Sequence, residues 1–267
     1  MIPDRDLGAR PPLTLEFAFV LALIAPLAHG LCMLVLLQIG FRGIMSVAGM
    51  GAVLAYSGIF ALCAVRFSRP PMQQLALVRA PANAWFAVAF LLPSVVLSSE
   101  VDNLVKLVFP LPVEPPSTGE VLPFLGPTLA IVVVAVFPIA YELFFRGVLQ
   151  PLAVARLRAV AGILLTAVLS GVALGLIIGG PWGVAPAFAG ALVLCILRQA
   201  SASLWPPIAL HAGTGLTFLA AQYRLFGLAG FDDVSAAHTP LPWLAGAALS
   251  TAIGFWLLRL ASREQPV

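Results

Sequence analysis

The sequence predicts an all-α, polytopic transmembrane helical bundle of about eight spans. Two observations carry this. Of the 267 residues, 61% are hydrophobic and only 9% charged, against roughly a quarter charged in a soluble domain, and mean hydropathy is +1.05. Apolar windows also recur along the chain, each near the roughly 20 residues that cross the hydrocarbon of a bilayer.

The windows run over residues 14–38, 44–65, 83–100, 122–149, 159–179, 183–199, 203–223 and 241–260. The first is followed by many others and lacks a small-residue cleavage site, so it reads as a retained span and not a signal peptide. The sixth opens on Gly180, Pro181, Gly183 and Pro186, which makes it a candidate for a short or partly re-entrant element buried in protein. The connection at 101–121 contains V-F-P-L-P-V-E-P-P-S-T-G, whose prolines argue against a regular helix and for an ordered or extended loop. No internal repeat occurs, and no linker is long enough to separate domains. Residues 1–267 are therefore expected to form a single integral membrane domain.

Charge sets the expected orientation. With the N-terminus inside, ten basic residues face the cytoplasm: Arg5, Arg10, Arg66, Arg69, Arg79, Arg156, Arg158, Arg198, Arg259 and Arg263. Three, Arg42, Lys106 and Arg224, lie outside, and Arg146 falls within a span. This is the bias of the positive-inside rule, and it places both termini in the cytoplasm, with a bacterial plasma membrane as the expected location. The net charge of +3 is explained the same way, and no dense basic run points to nucleic acid. Cys32, Cys63 and Cys195 each sit in an apolar window without C-x-x-C spacing, as small packing residues do.

Ionisable groups inside spans mark function or a buried pair. Apart from Glu100 and the basic residues at span edges, they are Glu16, His29, Glu142, Arg146 and His211. Glu16 lies in the first turn of the first span, where a carboxylate suits the helix N-terminus. His29 reads as a neutral, hydrogen-bonded histidine. Glu142 and Arg146, four residues apart in F-P-I-A-Y-E-L-F-F-R-G, can meet across one helical turn. The orientation above places Glu142 and His211 at similar depth. No metal or other cofactor is expected. A zinc site needs three or four ligands, and no H-E-x-x-H occurs. The outer-loop group Asp232, Asp233 and His238 reads as a solvated polar loop.

The segment P-I-A-Y-E-L-F-F-R-G resembles the first motif of the CPBP intramembrane proteases (the CAAX prenyl protease and bacteriocin-processing, Abi-like family), which reads E-E-x-x-x-R. S-L-W-P-P-I-A-L-H, from Ser203 to His211, resembles the approach to that family's third motif, H-x-x-x-N. The resemblance covers about residues 120–220, a CPBP-like core. It implies hydrolysis of a peptide bond in a membrane-anchored substrate near the membrane surface. In that mechanism the first glutamate and a second-motif histidine activate water, while the third-motif histidine and asparagine stabilise the oxyanion. Fixed donors beside a developing negative charge are an effective catalytic device.

Carried over residue by residue, the pattern breaks. Tyr141 stands where the first glutamate belongs, Ile178 where the second-motif histidine belongs, and Gly215 in place of the asparagine. His211 remains. Glu142 is a poor substitute for the lost acid, because adjacent helical residues point about 100° apart and pairing with Arg146 would make it a weaker base. A phenol such as that of Tyr141 is a poor water activator. The expectation is a catalytically degenerate relative that binds or scaffolds another membrane protein or a membrane-anchored peptide within the lipid bilayer. The alternative is a divergent endopeptidase that uses Glu142 and His211, with Tyr141 or His29 in supporting roles. A transporter is a third reading, suggested by the Gly and Pro residues near 179–186, but the matched broken helices of such proteins are missing.

Overall fold

Each apolar window folds as a helix because a backbone in hydrocarbon must satisfy its own hydrogen bonds. The computed structural model describes residues 12–41, 44–110, 132–223, 225–231 and 237–264. Helix α1 (Leu15–Gln38) starts at Thr14, whose side chain accepts from the Phe17 amide at 3.3 Å. Glu16 occupies its first turn and is exposed, as expected of a helix N-terminal charge. Helix α2 (Ile44–Ala64) packs along α1. His29 of α1 is buried and donates through Nε2 to the Ala48 carbonyl of α2 at 2.9 Å, the hydrogen-bonded histidine that the sequence suggested. A short helix, α3 (Pro71–Gln74), follows.

The third predicted span is longer than expected. Helices α4 (Ala82–Leu91) and α5 (Ser94–Val108) join across Pro93, and helix continues where the sequence reading began a loop at residue 101. The correction has a simple cause: S-S-E-V-D-N-L-V-K-L-V is amphipathic, and its prolines begin only at Pro110. The proline-rich remainder from residue 111, with Glu114 and Glu120, lies outside the described residues, as do Arg5, Arg10, Arg42, Arg224, Asp232 and Asp233.

From 132 to 157 the chain is one helical path with two wide π turns. Val132–Val136 leads into α6 (Phe137–Phe144), and Phe145–Leu149 leads into α7 (Gln150–Leu157). A tight turn at Arg158, with φ of 69°, reverses direction into α8 (Ala159–Ile178). Of the residues that suggested a re-entrant element, Gly180, Pro181 and Gly183 form a 3-10 turn, Gly180–Gly183, and Pro186 falls in the first turn of a regular α9 (Val184–Ser201). Helices α10 (Trp205–Gln222) and α11 (Leu241–Ala261) complete the bundle.

Six helical stretches among the described residues are long and apolar enough to cross a membrane: 15–38, 47–64, 82–108, 159–177, 180–201 and 241–261. The other two predicted spans are also helical, as α6–α7 with its π turns and as α10, and they are the ones that carry Glu142, Arg146 and His211. Large apolar side chains such as Leu27, Leu31, Phe86, Leu249 and Trp256 are exposed on the outside, a surface suited to lipid and not to water.

Small residues set the helix spacing, as they do in membrane bundles. Helix α8 lies against α9 through Gly171 and Gly175; a methyl group on Gly171 would come within 2.6 Å of Phe188 Cα. One core cluster joins α1, α2, α6 and α8 through Tyr56, Tyr141, Phe144 and Phe145. A second joins α4, α9, α10 and α11 through Leu91, Leu197, Leu210 and Leu258. Helix α10 contributes to both, with Ile208 in the first and Leu210 in the second.

Gly171→Val should therefore force α8 and α9 apart and destabilise the protein by about 1–3 kcal/mol. Gly58→Ala, whose added methyl meets nothing within 4 Å, should stay within about 0.5 kcal/mol of wild type. Unfolding in detergent micelles, followed by circular dichroism, separates the two.

Candidate functional site

The site begins at Pro138, just past the Val132–Val136 π turn in this continuous helical path; proline has no amide to donate and interrupts the i→i−4 ladder there. One turn later α6 presents two neighbours in different directions. Tyr141 points to α8, where its hydroxyl donates to the Ser170 carbonyl. Glu142 points to α10, where its Oε1 lies 2.7 Å from Nδ1 of His211. Both side chains are buried, with Tyr141 at 1% and Glu142 at 0% exposure.

Arg146, also fully buried, faces the carboxylate with two nitrogens. Its Nη1 donates to Glu142 Oε1 at 3.3 Å, and its Nε stands 3.3 Å from Oε2 at ion-pair distance but without hydrogen-bond geometry. Its Nη2 turns away and donates to the Ala191 carbonyl of α9 at 3.0 Å. Gln150, one turn further, donates to the Cys195 carbonyl of the same helix at 2.9 Å. In an unbroken α-helix Gln150 would be rotated roughly 80° from Glu142. The π turn at Phe145–Leu149 holds more residues per turn and takes back part of that rotation, so Arg146 and Gln150 both reach α9.

Aromatic rings close the site on the other side. The Tyr141 and His211 rings are perpendicular at 5.5 Å, and Phe137 meets His211 edge-on at 5.7 Å. Tyr56 of α2 packs against Tyr141 at 4.8 Å, and Phe145 does so at 4.5 Å. The Glu142 carboxylate beside Nδ1 makes that nitrogen a donor, which settles the ring's orientation.

Of the residues singled out in the sequence, Tyr141, Glu142, Arg146 and His211 come together. Gly215 lies one turn beyond His211; a methyl there would touch Val134 at 3.7 Å. Ile178 ends α8, and its side chain lies outside the described residues. His29 commits its Nε2 to Ala48 instead. His238 meets Glu100 at 2.5 Å, and Asp232 and Asp233 are outside the described residues. Among the described residues no three His, Cys, Asp or Glu side chains gather as a metal ion would require.

Sequence reasoning missed Gln150, Ser170, Ala191 and Tyr56. Gln150 was legible in principle, as an amide spaced four residues from Arg146 and eight from Glu142 in an apolar run. Ser170 and Ala191 act through backbone carbonyls, which leave no mark on residue identity.

Apolar helices long enough to cross a bilayer, packed around a buried Glu–Arg–His cluster, make this an integral membrane protein. Residues 123–217 match the family model described as Rce1-like, Type II CAAX prenyl endopeptidase Rce1-like, a match that supports the resemblance of this segment to the CPBP membrane proteases. No match was found among curated proteins or among solved structures.

Arg146→Met should cost about 3–5 kcal/mol, because it leaves a buried carboxylate without its cation. Tyr141→Phe, which removes only the donor to Ser170, should cost about 1–3 kcal/mol. Denaturant titration in mixed micelles gives both values, and a smaller loss for Arg146→Met than for Tyr141→Phe would contradict this ranking.

Proposed function

We propose that this protein is a catalytically degenerate member of the CPBP family that binds or scaffolds another membrane protein, or a membrane-anchored peptide, within the bilayer. The observation that carries this reading is the state of position 141. Where the family pattern has its water-activating glutamate, Tyr141 is buried with its hydroxyl given to a backbone carbonyl. Its neighbour Glu142 is held by Arg146 and His211 together. The carboxylate is buried and ion-paired, the phenol is committed to backbone, and Gly215 offers no side-chain donor for an oxyanion. An apolar recess of about 630 Å3 between α5, α8 and the Gly180–Gly183 turn is where a partner's apolar segment would lie. Val105, Phe109, Val168, Val172, Trp182 and Phe188 line it. The distribution of Lys and Arg supports a plasma-membrane protein, bacterial by our reading, with both termini in the cytoplasm.

One observation favours a second reading. The 2.7 Å contact of Glu142 with Nδ1 of His211 is the geometry by which a carboxylate orients a general-base histidine. His211 keeps about 10% side-chain exposure, so a divergent endopeptidase would use His211 to activate water and Glu142 to position it.

Reconstitution of the full chain in liposomes with a fluorogenic, lipid-anchored peptide distinguishes the two. The proposed function predicts cleavage no faster than in empty liposomes, with no change in Glu142→Gln or His211→Ala. Cleavage by the wild type that disappears in both variants would establish the second reading instead.

A further inference from the structure

The C-terminal end of α9 carries a cation, Arg198, at the edge of a recess. Arg198 is partly buried; its Nε donates to the Arg146 carbonyl at 3.3 Å, and among the described residues no carboxylate forms an ion pair with it. A guanidinium has five N–H donors, so among the described residues most of its donor edge is uncommitted. Beside it lies a recess of about 280 Å3, lined by Gln150, Pro151, Val154, Ala155, Arg198 and Gln199. Gln150 is 1% exposed, and its Nε2 donates to Cys195. That bond fixes the amide's orientation and leaves Oε1 buried without a partner.

A basic residue at the end of a span is ordinary, since it suits both the helix C-terminus and the membrane interface. Neither reason places Arg198 in the wall of a recess that is also lined by Gln150, whose buried Oε1 lacks a partner. We infer that this recess binds a phosphate-bearing ligand whose phosphate stands next to a hydroxyl or ammonium donor, the chemistry of a glycerol- or ethanolamine-type headgroup. Arg198 takes the phosphate oxygens, as guanidinium groups do in fork geometry. Gln150 Oε1 accepts from the neighbouring donor, which bare phosphate lacks. Pro151, Val154 and Ala155 cover the carbons between them. A lipid headgroup and a free glycerol phosphate share this chemistry. The site is separate from the Glu142 cluster and stands whether or not the protein is an enzyme.

Native mass spectrometry of the purified full chain, with phosphatidylglycerol, phosphatidylethanolamine and phosphatidylcholine in competition, tests it. Phosphatidylethanolamine and phosphatidylcholine carry the same net charge and differ in the donor. Wild type should retain phosphatidylglycerol and phosphatidylethanolamine about tenfold more tightly than phosphatidylcholine. Arg198→Gln should bring the three within about twofold. Ala155→Trp, which fills the recess and leaves Arg198 in place, should do the same and serves if Arg198→Gln does not fold. Arg156→Gln, an exposed charge on the adjoining helix, should change nothing. Thermal-shift titration with sn-glycerol 3-phosphate identifies the source: an Arg198-dependent rise assigns the site to a soluble ligand, and no rise assigns it to lipid. Equal retention of the three lipids by wild type would overturn the inference. So would preferences unchanged in Arg198→Gln and Ala155→Trp, or lost equally in Arg156→Gln.

Discussion

A carboxylate with no exposure at all, in a protein that is 61% hydrophobic, is the constraint around which the neighbouring structure is arranged. A buried charge needs a cation, and the cation needs acceptors for its remaining donors. Glu142 takes Arg146 and His211; Arg146 then requires the Ala191 carbonyl, which fixes α9 against the π turn. On its other side α9 lies close against α8, where Gly171 and Gly175 let the two backbones approach. Tyr141 ties α6 to α8 through Ser170, and His211 ties α6 to α10. Four helices are thus registered by one polar cluster. Such clusters often add little net stability compared with apolar packing, but they discriminate against slipped arrangements that would leave a charge unpaired.

The same arrangement bears on chemistry. Hydrolysis needs a base whose free electron pair faces water and a donor that faces the oxyanion. Here the carboxylate is fully buried, hydrogen-bonded through Oε1 and ion-paired with Arg146, and position 141 holds a phenol that donates to backbone. What remains is the imidazole of His211, oriented by Glu142 and slightly exposed. The Glu142–Arg146 pair thus holds the helices in register, and the proposal that the chain is catalytically degenerate rests on Tyr141 and Gly215 standing where the CPBP pattern has reactive groups.

Much of the fold was legible because hydropathy and length decide spans. Helix ends at Gln38, Ala64 and Ala261 fall close to the windows read from sequence. The third span was read too short because Asp102 and Lys106 looked like loop residues. In the structure Asp102 and Lys106 pair with each other across one turn at 2.6 Å, while Glu100 accepts from Asn103 and the Thr239 amide. The Glu142–Arg146 pair was legible from its spacing, and its meeting with His211 was suggested by depth alone. The π turn was not legible. It arises from tertiary demand, the need for Arg146 and Gln150 to reach one neighbouring helix, and no residue between Phe145 and Leu149 announces it.

The account stands or falls on whether Glu142 and Arg146 act as one unit. A double-mutant cycle with Glu142→Met, Arg146→Met and the combined variant, measured by reversible unfolding in lipid–detergent micelles, tests this directly. The account predicts that the combined variant is more stable than Arg146→Met alone, with a coupling of about 2–3 kcal/mol, because removing both charges leaves none stranded. Additive losses would contradict it and would mean that the carboxylate does not depend on the arginine.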